Sequence, residues 1–205
     1  MKISLLDAGK RFNREWIFRH FNYIFESPNA YAITGPNGSG KSTLLQFIAG
    51  ALMPSEGTIS YTGNNNKIHT EIYSQLSMAA PYLETVEEMT ANEFFRFHEV
   101  FKPLRRDIEI TEIIERVGLE KSADKQIRYY SSGMKQRIKL AQAVFSDTPV
   151  LLLDEPTTNL DAEGISLYHE LMGKYCSGKL IIVSSNEAAE YSFCGTVINM
   201  NSLKV

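Results

Sequence analysis

Cysteine is scarce in this sequence: there are two in 205 residues, Cys176 and Cys194, with no Cys-x-x-Cys or Cys/His spacing around them. That excludes a disulfide-stapled fold and leaves no zinc ligand set, and both thiols are expected to be reduced in a cytosolic setting. Long apolar runs are also missing, so no membrane-spanning helix is expected. Met1 to Lys10 carries no apolar stretch preceded by positive charge, and no secretion signal is expected. If the protein works at a membrane, another polypeptide is expected to supply the span. Charge of one sign is lacking too: 21 Lys and Arg against 24 Asp and Glu give a net charge of −3, with the basic residues spread along the chain. Such a surface has no electrostatic footprint for nucleic acid, and none is expected as a partner. Low-complexity tracts and internal repeats are absent as well.

What is present is enough apolar residue, 43% of the chain, to bury a core without metal or disulfide. Short apolar runs bounded by turn residues occur at Ala30–Thr34, Leu76–Ala79, Val150–Leu153, Leu180–Ser184 and Val197–Met200. They have the pattern of strands buried on both faces, and segments with helical spacing separate them. The alternation predicts an α/β fold around a mainly parallel sheet. The part before about Tyr61 is richer in strand candidates and is expected to form a separate antiparallel layer. A turn is expected over Thr62–Lys67, around Gly63 and Asn64 to Asn66.

The segment from about Glu84 to Ile127 is helical in character. Thr90 and Glu93 have the spacing of a capping box, and Phe94, Phe97, His98 and Phe101 follow on one face before Pro103. A second helix is predicted over about Asp107 to Val117, ended by Gly118. Together they predict a helical lobe, about 84–135, inserted in a single domain of residues 1–205. The aromatic stripe of the first helix is expected to be core.

Gly35-Pro36-Asn37-Gly38-Ser39-Gly40-Lys41-Ser42 matches the phosphate-loop pattern and lies between the strand at Ala30–Thr34 and a helical run from Thr43 to Ala49. Glycines let successive backbone N–H groups point at phosphate oxygens, and the helix that follows adds the positive end of its dipole. Lys41 is expected to supply a charge for the β- and γ-phosphates, the Ser42 hydroxyl to coordinate Mg²⁺, and the Thr43 amide or hydroxyl to reach the α-phosphate side. Val150–Leu153 then delivers two carboxylates, Asp154 and Glu155, at a strand end, where ligands bind in open α/β sheets. Asp154 is expected to reach the metal and Glu155 to act as general base on the attacking water. Alone, the pair could equally cap the next helix.

Tyr130-Ser131-Ser132-Gly133-Met134-Lys135-Gln136-Arg137 opens a helix whose apolar face includes Ile138, Ala141, Val144 and Phe145. With the phosphate loop before it and Leu151-Leu152-Leu153-Asp154-Glu155-Pro156 and Asn159-Leu160-Asp161 after it, the order resembles an ABC ATPase over nearly the whole chain. The resemblance implies an ABC-type P-loop NTPase fold with ATP and Mg²⁺ as ligands. It also implies a homodimer or heterodimer of cassettes in which Ser131, Ser132 and Gly133 of one face the γ-phosphate held by another. Ser131 could simply cap its helix, and Asp161, which falls in the family's dimer-crossing loop, could cap the helix starting at Ala162. Phe12 falls where the family stacks an aromatic on adenine, with Trp16 a nearby substitute.

Three positions depart from the family pattern. Ser132 and Met134 replace Gly and Gln of the signature. Ala80-Pro81-Tyr82 stands where a glutamine is usual, leaving Glu84 as a possible substitute. Ser185-Asn186 replaces Thr-His, so Asn186 is expected to position the phosphate without a titratable charge. The implied activity is ATP hydrolysis driving a separate transmembrane permease from the cytoplasmic face of the plasma membrane, with docking sought between Ala79 and Phe101. Two other classes stay open: a soluble non-transport ABC ATPase, and a poorly hydrolysing assembly factor regulated by nucleotide.

Overall fold

The computed structural model describes residues 1–63, 68 and 72–203. The turn expected over Thr62–Lys67 falls mostly outside them, since 64–67 are not described. Two compact units emerge. The first comprises Met1–Leu76, Pro149–Glu155 and Gly178–Val205, and the second Ser77–Thr148 and Pro156–Ser177.

In the first unit, β1 (Lys2–Phe12) pairs antiparallel with β2 (Glu15–Glu26) and with β4 (Glu56–Thr62), giving the order β2-β1-β4. This is the expected antiparallel layer, though two of its three strands are long rather than short. Phe21 and Phe25 share the inward face of β2 by alternation, and the irregularity at His20, with φ +55° and a shift of register against β1, brings Phe18 inward as well, where it meets Phe47 edge to face at 5.2 Å. The second sheet has the order β5-β6-β7-β3-β8, where β3 is Ala30–Thr34, β5 Leu76–Ala79, β6 Val150–Asp154, β7 Leu180–Ser184 and β8 Thr196–Asn199. The pairs β6–β7, β7–β3 and β3–β8 are parallel. Strands β6 and β7 are buried throughout, as their unbroken apolar sequences require. The last strand starts and stops one residue before the predicted Val197–Met200, because Met200 already opens a 3-10 turn. Helix α1 (Lys41–Ile48) follows the phosphate loop and packs on β6 and β7.

The second unit is helical: α2 (Ala91–Phe101), α3 (Ile110–Arg116), α4 (Ser132–Phe145) and α5 (Ala162–Tyr175). The capping box forms, with Glu93 N–H donating to Thr90 Oγ1 at 3.3 Å and Thr90 N–H to Glu93 Oε2 at 2.8 Å. Helix α3 begins three residues later than the predicted Asp107, because Arg105 grips the Asp107 carboxylate in a fork at 3.0 and 2.7 Å and holds it in the preceding turn. A further expectation fails on α2. Phe94 is buried, yet Phe97 is 44% and Phe101 70% exposed, and the two meet edge to face at 5.1 Å, with Val100 also exposed. Phe95, one position off the predicted stripe, goes into the core instead. The buried face of this helix is thus narrower than its aromatic spacing suggested. Among the described residues no helix is long and apolar enough to cross a membrane.

Candidate nucleotide site

The phosphate loop lies between β3 and α1 and turns through left-handed backbone. Gly40 has φ +100°, and a Cβ there would stand 2.2 Å from Ile17 Cγ2, so no larger residue fits. Gly40 is also the N-cap of α1 and offers no side chain, which leaves the N–H groups of the first turn for an anion. Lys41 is buried, and its ammonium donates to the carbonyl of Gly35 at 2.9 Å. A buried charge held, among the described residues, by carbonyl dipoles is one that a phosphate would bind better.

Asn37, Gly38, Lys41, Ser42 and Thr43 line a cavity of about 280 Å³, and Glu155 reaches it from the end of β6. Glu155 adopts φ +44°, uncommon for a residue with a side chain, and its N–H donates to Ser184 O at 2.9 Å. Neighbouring Asp154 is 2% exposed, and its Oδ1 has no hydrogen-bond partner among the described residues; the same holds for buried Ser39 Oγ. Asn186 accepts from the Gly35 N–H at 3.1 Å and donates to Asn37 Oδ1 at 3.3 Å, so its amide is tied to the loop on both sides. Phe12 ends β1 half-exposed with the Lys10 ammonium 5.2 Å from its ring, and does not line this cavity. Trp16 is stacked against the guanidinium groups of Arg11 and Arg19, at 5.4 and 4.5 Å. The apolar wall of the cavity is Ile17, which sequence reasoning missed. Its place against Gly40 is a tertiary contact that no local sequence signal marks.

A second cavity, about 440 Å³, lies in the helical unit. Ser131, Ser132 and Gly133 line it from the start of α4, and Asn159 and Asp161 from the segment before α5. Ser131 Oγ accepts from Met134 N–H at 3.2 Å and caps α4, as the simpler reading held. Asp161 caps α5 through Gly164 N–H at 2.8 Å and receives Arg137 at 3.5 Å. The Gly164 bond first, then Arg137, keeps its carboxyl below the usual range. Gly133 is tight: a Cβ would sit 3.0 Å from Asn159 O. Buried Gln136, not singled out from the sequence, donates to Pro156 O at 2.7 Å and ties α4 to the turn after the acidic pair. Where a glutamine is usual, the Ala80 and Pro81 carbonyls accept from Lys139, and Glu84 lines a polar cavity with Lys135 and Lys139.

The donor set suits a magnesium-bound nucleotide: glycine amides and a lysine for phosphate, a serine hydroxyl at the helix start, and a buried carboxylate oxygen in need of donors, which a hydrated cation supplies. Fold and cavity together define a P-loop nucleotide-binding protein. The sequence model of the ABC transporter family matches residues 18–158, and the chain belongs to that family, as its ATP-binding cassette. It is 30% identical over 203 residues to YybJ of Bacillus subtilis, an uncharacterized ABC transporter ATP-binding protein, covering 97% of this chain and 92% of that one. It is 31% identical over 192 residues to the cytochrome c biogenesis ATP-binding export protein CcmA of Nitrosococcus oceani, covering 93% and 88%. Among solved structures, the ATP-binding subunit of an ABC transporter superposes with a TM-score of 0.85 at 22% identity, over 97% of this chain and 85% of that one. A bacterial ABC transporter cassette in dimeric form gives 0.80 at 22%, over 96% and 93%. At that identity the two structures speak for the fold.

Proposed function

We propose that this cassette binds ATP with Mg²⁺, pairs with a second copy or a similar cassette, and hydrolyses the nucleotide to drive a separate membrane permease from the cytoplasmic face. The whole of 1–205 acts as one cassette in this reading, with the helical lobe as its insert. The observation that carries it is the single cavity shared by Lys41, Ser42, Thr43 and Glu155. Gly35, Asn37, Gly38, Ser39 and Gly40 wrap the phosphates with backbone N–H groups, and Lys41 leaves its carbonyl partner to neutralise them. Ser42 and Asp154 hold the cation, which when bound offsets the charge developing on the phosphates. Glu155 takes the proton of the attacking water at its carboxylate. Asn186, bonded to Gly35 and Asn37, keeps the loop in register and positions the terminal phosphate in this reading.

Ser131, Ser132 and Gly133 present the N-terminus of α4 to the nucleotide of the opposing cassette, and Asp161 holds the neighbouring loop. Phe12, half-exposed at the end of β1, is the aromatic assigned to adenine in this reading. Loss of the γ-phosphate removes charge-assisted contacts and lets the pair part. The exposed Phe97, Val100 and Phe101 of α2 fall in the segment where a permease is expected to dock. Glu155→Gln tests the catalytic core: turnover should fall about 10²- to 10⁴-fold, the range a general base contributes, while ATP binding persists. Unchanged turnover removes Glu155 from that role. Wild-type protein that binds ATP but turns it over no faster than the variant favours the assembly-factor alternative that Asn186 and Met134 suggest.

A further inference from the structure

Ser184 ends β7 next to the acidic pair. Strands β6 and β7 run parallel with Asp154 and Ser184 as direct partners, so both side chains leave the same face of the sheet. The four residues before Ser184 are Leu180, Ile181, Ile182 and Val183, and the strand turns polar only at this last position. Its carbonyl is already used, accepting the Glu155 N–H that fixes the left-handed turn of that residue. Its hydroxyl is fully buried and has no hydrogen-bond partner among the described residues, as is true of Asp154 Oδ1 and Ser39 Oγ. Folded proteins rarely leave one such oxygen unpaired. Three of them gather around the phosphate loop and the adjoining strand ends, two on directly paired residues.

We propose that Ser184 is a positioning residue for the divalent cation, its hydroxyl holding a water of the hydration shell beside Asp154. The inference rests on the magnesium-nucleotide reading of this site. Magnesium gives up its waters reluctantly, so groups that orient those waters contribute to its binding. A hydroxyl suits the place because it can accept from a water and donate to a carboxylate at once.

The test is a titration of Mn²⁺, followed by electron paramagnetic resonance, into wild-type, Ser184→Ala and Ser184→Thr proteins saturated with ADP. Binding of metal-free fluorescent ADP and thermal melting are measured alongside. Ser184→Ala should weaken Mn²⁺ about tenfold, the low end of what outer-shell partners contribute, with metal-free ADP bound as before; Ser184→Thr should restore the metal. If the Ala variant does not fold, Ser184→Cys, similar in size and a weak hydrogen bonder, carries the comparison. A variant that melts lower yet binds Mn²⁺ as tightly as wild type overturns the role of Ser184 alone. Wild-type protein that takes up no Mn²⁺ with ADP overturns the reading of the site itself.

Discussion

At the residue scale, Asn186 replaces a titratable side chain by one that donates and accepts at fixed charge. Both halves of its amide are engaged with the phosphate loop, at Gly35 and Asn37. Asn186→Ala should therefore raise the KM for ATP as well as lower kcat, since the loop loses an anchor. Loss of one hydrogen bond to a buried or loop amide is worth about 1 kcal/mol, or roughly fivefold. Asn186→Asp, which keeps the acceptor but adds charge near phosphate, should bind ATP more weakly still. Steady-state kinetics on the two variants separates anchoring from charge. Lys41 and Glu155 were legible as motif residues following short apolar strands, and Asn186 through the family resemblance. The sequence could not place Ile17 or the Ser184 hydroxyl, because each meets the site only through a tertiary contact with a residue distant in the chain, Gly40 for Ile17 and Asp154 for Ser184.

At the scale of elements, the helical unit carries a titration of its own. His98 on α2 is half-buried against α4. Its Nε2 meets Ser146 Oγ at 2.9 Å, Gln142 Nε2 meets its Nδ1 at 2.9 Å, and Ser146 donates its own proton to Gln142 O at 2.6 Å. The only consistent pattern is a neutral ring with the proton on Nε2, which the Nδ1 lone pair completes by accepting from Gln142. Burial, with the Lys102 charge as a smaller cause, pushes the His98 pKa down to about 4 from 6.5. A folded value below the unfolded one means stability complete above about pH 6.5 and lost as pH falls through that value toward 4. The melting temperature should fall from pH 7 to pH 5, and His98→Gln should flatten that drop. At the start of the same helix, Thr90→Ala should cost about 1 kcal/mol in denaturant unfolding at pH 7, through loss of the capping box. That cap was legible from residue types three apart. The outward turn of Phe97 and Phe101 was not, since helical spacing marks a face but not what covers it.

For the whole molecule, the phosphate-loop cavity and the cavity at the start of α4 belong to different compact units of the chain. The pairing hypothesis gives each a separate assignment: one holds the nucleotide, the other meets the nucleotide of a second cassette. Their contributions should then separate under mutation. Gly133 is the place to divide them, because it lines the second cavity, and a Cβ there already meets Asn159 O at 3.0 Å. Gly133→Asp adds a carboxylate at the helix N-terminus that an incoming phosphate would have to approach, and like charges at that range oppose association. In a Glu155→Gln background, where turnover is blocked, ATP should convert the parent protein from monomer to dimer by light scattering. With Gly133→Asp added, the protein should stay monomeric at the same ATP concentration while binding fluorescent ATP with unchanged affinity. If the added carboxylate weakens nucleotide binding by the monomer itself, the two cavities serve one nucleotide within a single chain and the paired arrangement is wrong.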